Sequence, residues 1–193
     1  MRDDNGRALK PDDASERVIL VDEADCPIGE DGKLDTHLKG RLHRAFSVFL
    51  FDRQGRTLLQ KRADVKYHSR GKWANACCGH PRPGEDILDA ARRRTFEELG
   101  IDVELGYGFQ ARYRAELDGG MVENELVHVF SGMAVSTLDP HPDEVSNTHF
   151  INLDELQADF ARDSEPYSAW LCHYLDHHFA DIVGLKMRMR AVV

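Results

Sequence analysis

Residues 75–81 read Asn-Ala-Cys-Cys-Gly-His-Pro. Cys78 and His80, two residues apart, could form a nucleophile pair or supply metal ligands, although a single thiol is by default a small buried hydrophobe. Two more imidazoles, His37 and His43, stand upstream in THLKGRLH, and two carboxylates, Glu123 and Glu125, stand downstream in GMVENEL. Alternation along a strand puts those carboxylates on one face. Three imidazoles and two carboxylates dispersed over strands make an octahedral nitrogen and oxygen site suited to Mn²⁺, Mg²⁺ or Zn²⁺. The apolar neighbours Val122, Leu126 and Val127 point to a semi-buried pocket, where unpaired carboxylates would be costly.

A second group of charges follows the Cys78 loop. Arg93 and Arg94 stand one helical turn before Glu97 and Glu98, so acid and base pair at i, i+4. Taken alone, these charges fit a solvated, salt-bridged helix face.

The elements that must position these residues are legible in the patterning. Ile87, Leu88, Ala91, Thr95 and Leu99 share one helical face over 85–99, with acids at the start and Gly100 as the expected C-cap. Val18 to Val21, Ala45 to Phe51 and the stretch restarting at Leu58 read as strands, and Pro27, Gly29 and Asp31-Gly32 as turn signals. The basic stretch from Lys61 to Lys72 reads as a binding loop. Long strands are expected over 103–115 and 121–135, joined by the hairpin signal Asp118-Gly119-Gly120. A short strand from Thr148 to Asn152 precedes a helix capped by Asp154, and a last helix covers roughly 168–182. This order predicts an α/β sandwich around a mixed sheet.

The chain has 193 residues, a length for one domain. Residues 1–16 are polar and read as a mobile tail, leaving 17–193 as a single catalytic domain. The formal net charge of −9 sets the bulk field against nucleic acid and anionic lipid, so an anionic substrate needs a local basic pocket. No long apolar run and no basic leader occur, and the four cysteines show no CxxC spacing; a cytosolic protein with free thiols, monomeric and without nucleic-acid or membrane partners, is expected. His173 and His177 are spaced i, i+4 without further metal-site residues and read as a solvated face.

Gly79, Glu85, Arg93, Glu97, Glu98, Gly100 and Ile101 resemble the Nudix box, with Arg94 where that box has its first metal-binding Glu and Thr95 where it has an aliphatic residue. Replacing a carboxylate by a guanidinium removes a hard oxygen ligand and argues against ordinary Nudix hydrolysis. Together with GKLDTH, RLH, NACCGHP, ARYRA and GMVENEL, the set resembles the type I isopentenyl-diphosphate isomerases. The resemblance implies a Nudix-like α/β/α sandwich acting on an isoprenoid diphosphate. It implies His37, His43, His80, Glu123 and Glu125 as metal ligands, Cys78 as catalytic thiol, and Glu125 with Tyr113 as the acid/base group on the opposite face. Lys33, Arg62, Lys66 and Arg94 would hold the diphosphate, and Glu98, with the Cys78 backbone, a second Mg²⁺ bridging to it.

Moving a C3–C4 double bond to C2–C3 requires protonation of an unactivated alkene and loss of a C2 proton, hence two groups on opposite faces. Trp170 is the expected aromatic face for the intermediate cation, with core packing as its alternative role. A Nudix hydrolase of a nucleoside or other diphosphate, and a non-catalytic binding module, are the competing readings.

Overall fold

The structure is a computed structural model that describes residues 15–66, 68–134 and 137–190. Most of the expected N-terminal tail, residues 1–14, lies outside the described residues.

Among the described residues one mixed sheet holds β1 (Arg17–Val21), β2 (Pro27–Gly32), β3 (His43–Phe51), β4 (Thr57–Arg62), β5 (Trp73–Asn75), β6 (Cys77–Gly79), β7 (Leu105–Glu116), β8 (Val122–Met133) and β9 (Val145–Ile151). β3 is its hub, running parallel to β8 and antiparallel to β1, β4 and β6. β7 pairs antiparallel with β8 through the expected hairpin at Asp118–Gly120.

Alternation along β3 divides the core. Ala45, Phe49 and Phe51 face helices α3 (Leu153–Arg162), α4 (Ala169–His177) and α5 (Phe179–Arg190). Phe46, Val48 and Leu50 face α2 (Ile87–Leu99) on the other side. Helices on both faces of a mixed sheet are the expected α/β/α sandwich. No helix among the described residues is long and apolar enough to cross a membrane.

Four local expectations are corrected. Pro27–Gly32 is strand β2, not only turns, because its backbone pairs with β1 although its side chains face water. A short helix, α1 (Lys33–Lys39), occupies a stretch without an apolar stripe; Thr36 and His37 are its buried residues, and left-handed Gly40 ends it. The cap of α3 is Asn152, not Asp154. The last helix is two, since His178 leaves helical geometry between α4 and α5.

α2 begins at Ile87, where the Asp86 carboxylate accepts from the backbone N–H of Leu88 and Asp89. It ends at Gly100, where φ is 69° and a Cβ would lie 2.6 Å from the carbonyl oxygen of Asp139.

Candidate active site

The face of the sheet that carries α4 also carries the expected chemistry. In register, Cys78 of β6 lies beside Ser47 of β3, while His43 of β3, Glu125 of β8 and Tyr113 of β7 form a row across three strands. Glu123 sits two residues along β8 on the same face. Cys77 points to the α2 side and is buried there.

His37 reaches this row from α1 and not from a strand. It is placed by its ring, whose Nδ1–H donates to the Lys33 carbonyl at 2.7 Å. His43 Nδ1–H donates likewise to the Arg41 carbonyl at 2.9 Å. Both rings therefore present Nε2 to the centre. There, His43 Nε2 and His80 Nε2 lie 3.2 Å apart, and they lie 3.5 and 2.8 Å from Glu125 Oε1. His37 Nε2 lies 3.2 Å from Glu123 Oε2.

One ligand atom each from His37, His43, His80 and Glu125 falls within a 4.8 Å cluster, and all four residues are buried. Converging lone pairs in a dry site are costly without a cation, so the donor set fits a divalent metal held by nitrogen and oxygen. Glu123 stands at its edge. The protonation pattern agrees: burial, with Glu125 beside it, pushes the Glu123 carboxyl up, whereas the neighbouring imidazoles of His43 and His80 overcome burial and hold Glu125 well below the usual carboxylate range. Burial brings His80 down to about 4, leaving it neutral and fit to ligate.

The thiol is set apart from this cluster. Cys78 Sγ–H donates to Asn75 Oδ1 at 3.2 Å, and Sγ lies 3.2 Å from Ser47 Oγ, which accepts from Tyr174 O–H at 2.9 Å. Asn75 is itself fixed by donating to the carbonyls of Val48 and Cys77. Burial pushes the thiol up to about 12, so it keeps its proton at neutral pH. Burial, with Glu123 and Glu125 nearby, likewise raises the Tyr113 phenol well above its ordinary value.

Cys78, His80, Tyr113, Glu123, Glu125, Trp170, Lys33, Arg62, Lys66, Arg94 and Glu98 line one cavity, with His37 and His43 in the wall behind it. The sequence-derived residues thus converge. The cations carry internal partners: Lys33 pairs with Glu16 at 2.6 Å, Lys66 with Glu144 at 2.5 Å, and Arg94 with Glu97 and Glu98. The Arg62 guanidinium lies 5.1 Å from the centre of the Trp170 ring. Glu98 also accepts from Gln60 Nε2 at 2.9 Å. A wider basin of about 930 Å³ adjoins the cavity and shares Glu16, Lys33 and Arg94 with it. Convergent titratable groups make the smaller cavity the candidate site.

Four residues around the site escaped sequence reasoning: Glu16, Ser47, His68 and Tyr174. Glu16 falls in the stretch read as tail, yet it is largely buried against Lys33. Burial would raise its carboxyl, but Lys33, with His80 and Arg94 further off, brings it down to about 2. His68 lies in the basic loop, where only its proximity to Arg62 and Lys66 hinted at a role.

A mixed sheet between helices, with an acid- and arginine-bearing helix after a glycine-ended loop, defines a Nudix-fold protein, and residues 41–171 match the NUDIX domain family. A Deinococcus radiodurans crystal structure shares the fold at a TM-score of 0.69 and 20% identity, over 83% of this chain and 98% of that one. The MutT protein of Methanosarcina mazei does so at 0.59 and 20%, over 72% and 93%. Within that fold the chain belongs to the isopentenyl-diphosphate Delta-isomerase family. It is 47% identical to isopentenyl-diphosphate Delta-isomerase 2 of Aromatoleum aromaticum over 83% of this chain and 85% of that one. It is 49% identical to the isopentenyl-diphosphate Delta-isomerase of Streptomyces avermitilis over 81% and 80%.

Proposed function

We infer that the chain is an isomerase interconverting isopentenyl diphosphate and dimethylallyl diphosphate, in isoprenoid biosynthesis. The observation that carries this reading is the pairing, in one cavity, of a protonated thiol at Cys78 with the Glu125 and Tyr113 pair, beside four cationic side chains. Protonation at C4 makes a tertiary cation at C3, and removal of a C2 proton completes the shift. Neither step cleaves the diphosphate. A thiol and a carboxylate–phenol pair, each positioned against one carbon, supply the two proton transfers. Tyr113, held beside Glu125, can pass a proton to that carboxylate and take it back.

His37, His43, His80, Glu123 and Glu125 would hold a divalent ion, Mn²⁺, Mg²⁺ or Zn²⁺, which would fix Glu125 and tune its proton affinity. Glu98 and the Cys78 backbone would hold a Mg²⁺ that screens the diphosphate against Lys33, Arg62, Lys66 and Arg94. Trp170 closes the cavity and keeps water from the cation, and its ring face is worth about 2 kcal/mol to a desolvated positive charge. Arg94, in place of a box carboxylate, binds the substrate anion and leaves the helix short of a ligand for metal-assisted hydrolysis. A cytoplasmic monomer fits the acidic composition and the four free cysteines.

The test is incubation of the purified protein with isopentenyl diphosphate, Mg²⁺ and Mn²⁺. Dimethylallyl diphosphate without phosphate release is the expected result, and release of inorganic phosphate or diphosphate instead establishes a hydrolase.

A further inference from the structure

His68 is buried in the wall of the cavity. Its ring stands edge-on to Trp170, with centroids 6.0 Å apart at 83°, and 6.2 Å from the ring of His37. Its Nδ1 lies 3.1 Å from Ser69 Oγ, and its Nε2 faces Glu123 Oε1 at 3.9 Å. The Glu123 carboxylate is thereby bracketed by two imidazoles, His37 on Oε2 and His68 on Oε1.

The chemistry of the pair decides the tautomer. A bare Nε2 lone pair turned toward a carboxylate oxygen is repulsive, so the proton belongs on Nε2 and Nδ1 accepts from the Ser69 hydroxyl. Ser69 is one of only two described non-glycine residues with positive φ, at 50°, a conformation that persists where surrounding contacts hold it. Arg62 donates to the His68 carbonyl at 3.3 Å and so ties the loop to the cation cluster.

We propose that Ser69 and His68 form an outer relay that orients Glu123 for the metal: Ser69 O–H donates to His68 Nδ1, and His68 Nε2–H donates to Glu123 Oε1, leaving Oε2 for the ion. A closure of roughly 1 Å brings the second contact into hydrogen-bond range. His68 is a positioning residue acting through Glu123. The proposal rests on Glu123 belonging to the metal site, but not on the reaction catalysed.

The test measures Mn²⁺ affinity by chelator competition, without substrate, for the wild type, His68→Phe, His68→Gln and Ser69→Ala. Phe preserves the packing against Trp170 and removes the N–H; Gln offers an N–H at similar reach and gives up the ring. Orienting partners of metal ligands command about 10–100-fold in affinity. His68→Phe is therefore expected to weaken Mn²⁺ by about 10–100-fold, His68→Gln to stay within a few-fold of wild type, and Ser69→Ala to fall between them. Tight Mn²⁺ binding by His68→Phe, or equal weakening in His68→Phe and His68→Gln, overturns the relay and leaves His68 as packing. A protein that fails to isomerise yet shows the expected affinity order would refute the reaction and spare the relay.

Discussion

The two halves of the cavity are opposites in how they balance charge. On one side His37, His43, His80 and Glu125 bring nitrogen and oxygen donor atoms together in a buried cluster. On the other, Lys33, Lys66 and Arg94 are each already matched by a carboxylate, from Glu16, Glu144, Glu97 or Glu98. The first half has the donor set to hold a divalent metal ion. The second is neutralised from within, so on the proposed reading an incoming diphosphate must arrive with compensating charge or displace these carboxylates. Cys78 belongs to neither half; it is held by neutral partners, Asn75 and Ser47.

The sharpest way to break this division is Cys78→Ala. It is expected to lower kcat by about 10²–10⁴-fold, the range of a lost acid/base group, while Mn²⁺ content and inorganic diphosphate binding stay at wild-type levels. Loss of metal in that variant would show the thiol to be part of the donor-atom half. Glu123→Gln should do the reverse, weakening Mn²⁺ by at least the roughly 10–100-fold that outer partners command and leaving diphosphate affinity intact. Unchanged metal per chain would remove Glu123 from the site.

The neutralised half has a pH signature. Because the folded-state pKa of Glu16 is held down at about 2 against an ordinary 4.5, its stabilisation is fully present above about pH 5 and is lost as pH falls toward 2. With its side chain 18% exposed, the shift corresponds to roughly 3 kcal/mol. Denaturant unfolding of wild type and Glu16→Gln at several pH values should show a stability gap that narrows through this window. A gap independent of pH would mean that Lys33 does not hold the carboxylate. Lys33→Met should raise KM for the diphosphate by about 10–100-fold, the worth of one charge-assisted hydrogen bond, with metal affinity unchanged. An unaltered KM would leave Lys33 serving Glu16 alone.

The two halves also differ in how far the sequence displayed them. Glu123 and Glu125 were readable from strand alternation, and Cys78, His80 and the α2 charges from their spacing, because neighbours in sequence there share a face or a turn. The sheet and α2 were readable for the same reason. α1 was not, since a helix of Lys33–Lys39 that buries chiefly Thr36 and His37 has no stripe to detect. Glu16 read as tail because its burial depends on Lys33, which only the β1–β2 hairpin and α1 bring alongside. His68 was hidden as a lone imidazole on a loop, and Ser47 as a small polar residue in an apolar strand. The break at His178 carries no Gly or Pro to announce it.

On the proposed reading a proton enters and another leaves across this cavity while the diphosphate stays intact. Reaction of isopentenyl diphosphate in D₂O, followed by NMR, tests it most directly. Dimethylallyl diphosphate with deuterium in the new methyl group and no released phosphate is the expected product; a product free of deuterium, or free phosphate in its place, rules out this proton-transfer route.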